Sequence, residues 1–387
     1  MFLKKTEAVA DWLTLAFTRG LGPVLVRRLV EACGGAGEAA GANAAQLQRV
    51  SGIGKARAAS LATAIKSARD AARRELDAAR EIGVRVLCPD DEDWPAMLTD
   101  VADAPPVLWV WGELMARDLN AIAIVGSRRP SQYGKEQSER FGSLLAGAGF
   151  TVVSGGAYGV DTRAHRGALR ATGGRTIAVL GCGVDVAYPP ENAQLLAEIS
   201  EGRGAVVSEL PLGTQPRREH FPRRNHVISG LSRGVLVVEA AERSGALITA
   251  RVAADDHNRP VFAVPGRVDN EMSAGPHGLL RDGACLAAEL SDIVDNLGPL
   301  PTAALRPTPI STPDLFDTPR EDPPDPLPPT VSDEDRRILE ALDAGPLGPD
   351  AVCDATGLPA QRVQAALTLM SLKGLVKRVG GTKFERK

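Results

Sequence analysis

Five small or β-branched residues, Ala121-Ile122-Ala123-Ile124-Val125, run without a break and stop at Gly126-Ser127-Arg128-Arg129-Pro130. Apolar side chains then recur at helical spacing at Phe141, Leu144, Leu145 and Ala148. A buried strand, a tight polar loop and a helix form the opening unit of a doubly wound α/β domain. The loop falls at the carboxyl end of a strand and the amino end of a helix. Free backbone N–H groups and the helix dipole favour an anion there. Two arginines in the loop point to a phosphate.

The same alternation continues. Segments 151–153, 176–180, 205–208, 234–238 and 261–264 read as further strands separated by helices, as a mostly parallel sheet requires. Short strands at 84–87 and 107–111 precede them as edge additions. Residues 1–82 read as helical, with a charged, solvated helix over 66–81. Residues 299–330 hold eleven prolines in 32 positions, the composition of a semi-stiff, mostly disordered tether. Residues 331–387 read as helices at 333–342, 348–356 and 359–373, then a hairpin turning at Gly380-Gly381, which together resemble a winged helix. The expected class is α/β. An extended Rossmann-like, mostly parallel core occupies 83–298, after an all-α, helix-hairpin-helix or SAM-like domain at 1–82. A linker at 299–330 leads to a winged-helix domain at 331–387.

Several loops carry possible chemistry. Ser154-Gly155-Gly156-Ala157 follows its strand directly, either as a second phosphate cradle or as a close approach of two turns. Asp161 stands where the next helix needs an N-cap. His165, one turn later, reads as a packing histidine bonded to that cap. Arg217-Arg218-Glu219-His220-Phe221-Pro222-Arg223-Arg224-Asn225-His226 is the densest basic stretch. Arg223-Arg224-Asn225 open a helix there, at its positive end, and guanidinium forks suit phosphates. Ser51-Gly52-Ile53-Gly54-Lys55 resembles a helix-hairpin-helix turn, whose amides and Lys55 would hold a DNA phosphate; a tight interhelical turn reads equally from the glycines.

Composition narrows the partners. A net charge of −3 advertises no global polycation, so any nucleic-acid site is a local basic patch. Five scattered cysteines without a CxxC pair argue against structural zinc or disulfides and for a reducing cytoplasm. Met1-Phe2-Leu3-Lys4-Lys5 leads into Thr6-Glu7, unlike a signal peptide, and no apolar run approaches a membrane span. GxGxxG, GxxxxGK[ST] and HExxH are absent, and no metal-ligand or paired-carboxylate cluster stands out. One GxSxG, Gly230-Leu231-Ser232-Arg233-Gly234, follows a helix and leads into a strand, the reverse of a nucleophile elbow.

In order and spacing, these stretches resemble the DprA (Smf) family of DNA-processing proteins. The resemblance is carried by Gly126-Ser127-Arg128, by Ser154-Gly155-Gly156-Ala157 with Gly159, Asp161 and His165, and by Ala178-Val179-Leu180-Gly181 with Tyr188-Pro189. It continues through Ser208-Glu209, Phe221-Pro222-x-Arg224-Asn225, Gly230-Leu231-Ser232, Val238-Glu239, Ser244-Gly245-x-Leu247-Ile248-Thr249-Ala250 and Val264-Pro265-Gly266. It implies a non-enzymatic, cytoplasmic protein without a cofactor or metal. Such a protein binds single-stranded DNA, protects incoming strands in natural transformation and loads the RecA recombinase, generally as a homodimer. By position the groove comprises Gly126, Ser127, Arg128, Ser154, Gly155, Gly156, Arg224 and Asn225; charge and proximity add Arg129, Lys135, Arg217 and Arg223. Gly52, Gly54 and Lys55 form a secondary DNA contact, and Leu279, Leu280 and Leu286 a candidate dimer surface. His226 departs from the arginine expected there. The alternative is a nucleotide-processing enzyme of the nucleoside-monophosphate hydrolase type, with Glu239 as its nearest candidate acid. The winged helix carries only Arg362 and Lys373 on its recognition helix, which favours a protein or weak backbone contact over base reading.

Overall fold

The structure, a computed structural model, describes residues 2–299, 333–343, 345–372, 375–379 and 383–386. The chain divides into two compact units, 1–304 and 305–387. The proline-rich tract beyond residue 299 and the Gly380-Gly381 turn lie outside the described residues.

The first unit opens with five helices: α1 (Phe2–Phe17), α2 (Pro23–Cys33), α3 (Ala36–Gly41), α4 (Ala44–Leu47) and α5 (Lys55–Glu81). The charged 66–81 stretch is the second half of one 27-residue helix, α5. It is not solvated all round. Ala58, Leu61, Ile65, Ala68, Ala72, Leu76 and Ala79 recur every three or four residues and are buried as one stripe. Alanine predominates in that stripe, so the pattern hides behind a low mean hydropathy.

Nine strands follow: β1 (Arg85–Leu87), β2 (Leu108–Gly112), β3 (Ala121–Val125), β4 (Thr151–Ser154), β5 (Arg175–Leu180), β6 (Gly204–Ser208), β7 (Gly234–Val237), β8 (Val261–Ala263) and β9 (Cys285–Leu286). Between and after them run α6 (Ala96–Thr99), α7 (Gln132–Gly147), α8 (Val160–Arg170), α9 (Ala193–Glu198), α10 (His220–Gly230), α11 (Gly245–Arg251), α12 (Ala274–Arg281) and α13 (Leu290–Val294). The sheet order is β1-β2-β6-β5-β4-β3-β7-β8-β9. All pairs from β6 to β9 are parallel, while β2 joins β6, and β1 joins β2, antiparallel. The two early strands are thus edge additions. The ninth strand, two residues long, escaped the sequence pattern because Cys285-Leu286 offers no alternation to read.

Alternate residues of β5 face opposite layers. Ile177 and Val179 join the core under α10 and α11, and Ala178 and Leu180 join the core under the N-terminal helices. Trp109 of β2 anchors the latter, stacked 6.3 Å from Phe17 and donating to Glu75 Oε1 at 2.9 Å. Each large side chain so buried is worth roughly 1.5–3 kcal/mol.

The second unit contains α14 (Asp333–Leu342), α15 (Pro349–Thr356), α16 (Ala360–Leu372) and an antiparallel pair, β10 (Val376–Val379) with β11 (Lys383–Arg386). Leu347 bridges Phe384 as a third short strand would. Ile338, Leu342, Val352, Val363, Leu367 and Met370 fill its core. This is a winged helix.

Candidate nucleic-acid interface

Strand β3 has β4 on one side and β7 on the other, so the chain reverses direction across the sheet between β3 and β7. Doubly wound sheets bind ligands in the crevice at that point. Here the protein fills it. Glu239, just past β7, is 1% exposed. Its Oε2 accepts from the Ser131 N–H at 2.7 Å, and its Oε1 accepts from Ser131 Oγ at 2.6 Å and Asn270 Nδ2 at 3.1 Å. Ser131 is the N-cap of α7. The anion at this helix end is therefore a glutamate of the chain itself, which corrects the expectation of a phosphate there. Glu239, the nearest candidate acid, has both oxygens enclosed and occupied by these donors. The Ser127 N–H donates to the Glu239 carbonyl at 2.6 Å. A Cβ on Gly126 would stand 2.8 Å from that oxygen, so the loop's close approach requires glycine.

The second loop is also closed. Ser154 Oγ donates to the Ile124 carbonyl at 2.6 Å, and Asp161 Oδ2 accepts from the N–H groups of Gly155 at 3.1 Å and Ala157 at 3.3 Å. Gly159, with φ +78°, is the N-cap of α8; Asp161 lies inside the first turn and braces the loop from below. Arg224 is 5% exposed and donates through Nη1 to the carbonyls of Gly155 and, at 2.8 Å, Val179. Ser154, Gly155, Gly156 and Arg224 thus form an internal brace, in which the arginine is the strut. Burial pushes the Asp161 carboxyl up, and the Arg224 charge opposes that shift. Asn225 is buried too and donates to the Gly245 carbonyl at 3.3 Å, joining α10 to α11.

His165 does not bond to Asp161. Its Nδ1 lies 2.7 Å from Thr176 Oγ1, whose own proton goes to the Val152 carbonyl at 2.6 Å. The imidazole Nδ1–H is therefore the donor. Complete burial, with the Arg224 charge adding to it, holds this histidine down to about 3.

What remains open is a cationic wall. Arg128, Arg129 and Lys135 share a solvent-open cavity of about 720 Å³ with Arg163, Arg166 and Tyr158. Glu191, which accepts from the Tyr158 hydroxyl, is the carboxylate in that lining. Five cations and one carboxylate line it in a chain of net charge −3, and Arg163 also pairs with Glu139 at 3.3 Å. Such a cleft concentrates polyanions. The Arg128 guanidinium also lies 4.9 Å from the Phe221 ring centroid, and Tyr188 meets the same ring at 5.9 Å. Phe221 rests on Gly181, where a Cβ would come within 3.1 Å of it. Loop 126–130 and the start of α10 are thereby joined through an aromatic ring. Arg217 and Arg223 are exposed at that end of α10, beside Glu219 at 3.9 Å and Glu209 at 3.2 Å. Arg163, Arg166 and Tyr158 were not expected from sequence; arginines three apart on a helix begun by a Gly-rich loop are the signal that was there to read.

Elsewhere, Gly52 (φ +91°), Gly54 and Lys55 are exposed at the amino end of α5. Arg57 bonds the Gly52 carbonyl at 3.2 Å and the Gly20 carbonyl at 2.8 Å, tying this turn to the matching Gly20-Leu21-Gly22 turn before α2. Leu279 packs against the core and Leu280 is half-buried, whereas Leu286 is exposed on edge strand β9. Among the described residues no helix is long and apolar enough to cross a membrane.

A sequence profile for the DNA recombination-mediator protein A family matches residues 85–298, and one for the DprA winged helix domain matches 322–382. Protein Smf of Synechocystis sp. is 34% identical over 98% of this chain and 98% of its own length. Protein Smf of Escherichia coli is 48% identical over 54% of this chain and 55% of its own. The crystal structure of DNA processing protein A from Streptococcus pneumoniae superposes with a TM-score of 0.65 at 32% identity, covering 74% of this chain and 97% of that one. With a profile spanning more than half of its length and a relative aligned from end to end, the chain belongs to the DNA recombination-mediator protein A (DprA/Smf) family of DNA-processing proteins.

Proposed function

We propose that the protein binds single-stranded DNA along the wall formed by loop 126–130, the amino half of α8 and the start of α10. The observation that carries this reading is the five-cation lining, with Arg128 reaching from it to Phe221. Arg128, Arg129, Lys135, Arg163 and Arg166 are the backbone contacts, joined by exposed Arg217 and Arg223. Tyr158 and Phe221 supply limited stacking, so sequence preference is weak. Gly126 and Ser127 shape the loop; Ser154, Gly155, Gly156, Arg224 and Asn225 hold it from behind. With Glu239 enclosed, nothing in this wall favours hydrolysis of a nucleotide, and the role is non-enzymatic.

Following the family resemblance, the strand so held is incoming DNA, protected in the cytoplasm and passed to RecA by a homodimer. Leu286, with Leu279 and Leu280 behind it on the sheet edge, is the proposed dimer surface. Gly52, Gly54 and Lys55 form a secondary phosphate contact. The winged helix serves a protein or weak backbone contact, since its recognition helix carries only Arg362 and Lys373 as charges.

Fluorescence anisotropy with labelled single- and double-stranded oligonucleotides over a salt series tests the reading, with and without residues 331–387. Preference for the single strand that survives truncation is expected. Equal binding of both forms, or loss of binding on truncation, overturns it.

A further inference from the structure

Three ionisable side chains far apart in sequence meet at one point beneath α10. Asp103 comes from the loop between α6 and β2, His226 from α10, and His257 from the segment after α11. Asp103 Oδ2 lies 2.5 Å from His226 Nδ1, and Asp103 Oδ1 lies 3.5 Å from His257 Nε2. One ligand atom from each residue falls within 4.8 Å of the other two. Both ring nitrogens are buried, each against one oxygen of the Asp103 carboxylate. The two imidazoles thus converge on a single carboxylate.

The backbone around His257 is unusual. It follows a π-helical turn, Val252–Asp256, with its N–H donating to the Val252 carbonyl at 3.1 Å. It precedes Asn258, at φ +50° the one non-glycine residue with positive φ among those described. π-Turns and left-handed non-glycine residues are costly and gather at functional sites. Here the irregularity aims a histidine whose side chain is 1% exposed at Asp103. Behind it, fully buried Ser229 places its Oγ 2.8 Å from His257 Nδ1, the outer partner that orients a metal-binding imidazole.

We propose that Asp103, His226 and His257 bind a divalent transition metal ion of the zinc type. Two imidazole nitrogens and a carboxylate oxygen suit Zn²⁺, with solvent as fourth ligand. Asp103 and His226 are each about one-third exposed, which leaves an entry path. Around an ion with ligand bonds of about 2.0–2.1 Å, the three groups must rearrange slightly. His257 then holds its proton on Nδ1, donating to Ser229 Oγ, and any proton on His226 leaves to solvent. The ion would staple the loop before β2 and the end of α11 to α10, the helix that carries Phe221 and Arg223. The site stands independently of the DNA-binding reading.

Full-length protein stripped with EDTA, desalted and titrated with Zn²⁺ by calorimetry tests the site, with Co²⁺ absorption as a second readout. The wild type is expected to bind a single equivalent and to show the visible d–d band of tetrahedral Co²⁺. His257→Gln and Asp103→Asn should each weaken Zn²⁺ binding at least tenfold. His226→Arg preserves a cation opposite Asp103, so it should fold with an unchanged circular dichroism spectrum and still lose the ion. His277→Gln, at a histidine outside the cluster, should bind like wild type. No stoichiometric binding by the wild type, or Zn²⁺ affinity unchanged in folded His226→Arg, overturns the proposal.

Discussion

The guanidinium of Arg128 lies 4.9 Å from the centroid of the Phe221 ring, 93 positions later in the chain. The contact makes one surface of the loop after β3 and the first turn of α10. A cation–π pair at an exposed site is worth about 0.5–1 kcal/mol. Arg128 also faces the cavity, so its removal should cost a phosphate contact as well. Arg128→Ala is expected to weaken oligonucleotide binding several-fold in anisotropy, with no more than about 1 kcal/mol of stability lost in urea denaturation. Phe221→Ala should lower affinity less, by about two- to fivefold. Unchanged affinity in both variants would show that the strand takes another path.

Arg163 and Arg166 should act through charge alone. For single strands the log–log salt dependence changes by roughly 0.7 for each phosphate contact removed. Arg166→Ala, at an exposed position, is expected to flatten the slope by about that amount and leave sequence preference unaltered. A parallel line shifted by a constant would mean that Arg166 meets no phosphate.

Arg224 behaves differently, because its guanidinium is spent on the carbonyls of Gly155 and Val179. Truncation would leave those acceptors unpaired and remove the positive charge beside buried Asp161. Arg224→Ala should therefore destabilise the first unit by about 3–5 kcal/mol, as loss of a buried charge partner does. Urea denaturation measures this directly. An unchanged midpoint with weakened DNA binding would return Arg224 to the groove.

His165 makes stability depend on pH in a defined direction. Burial holds the folded imidazole down to about 3, below its ordinary value of 6.5. Between those values the unfolded chain takes up a proton that the folded site refuses. Its contribution is complete above about pH 6.5 and declines by roughly 1.4 kcal/mol per unit as pH falls. Comparison with His165→Asn cancels the other titrating groups. From pH 7.5 to 5 the wild type should lose about 2 kcal/mol more than the variant. Equal losses would place a charged, solvated imidazole in the folded state.

Much of the molecule was legible in the chain. Continuous β-branched runs such as Ala121–Val125 define buried parallel strands, because a strand covered on both faces has no polar alternation. Gly-rich and Ser-rich stretches after the strands mark loops at the carboxyl edge, and the arginines at 128 and 129 mark where charge collects. These are local facts, written in neighbouring residues. By itself the sequence determined a mostly parallel α/β core with helical and winged-helix additions, and a basic loop at its carboxyl edge.

Direction and partnership were decided elsewhere. Nothing local distinguishes Arg128, which faces the cavity, from Arg224, which is swallowed by the Gly155 loop. Nothing local tells that Glu239 would cap α7 from 108 positions away. Three residues at 103, 226 and 257 form a cluster only because α10 and the end of α11 pack beside the loop before β2. The physical reason is common to all three cases. Secondary structure follows from short-range sterics and the periodicity of burial, whereas the fate of a charged side chain depends on which distant groups share its desolvated space. Only the assembled sheet could decide that a loop placed like a phosphate site is stoppered from within, leaving its arginines to face outward.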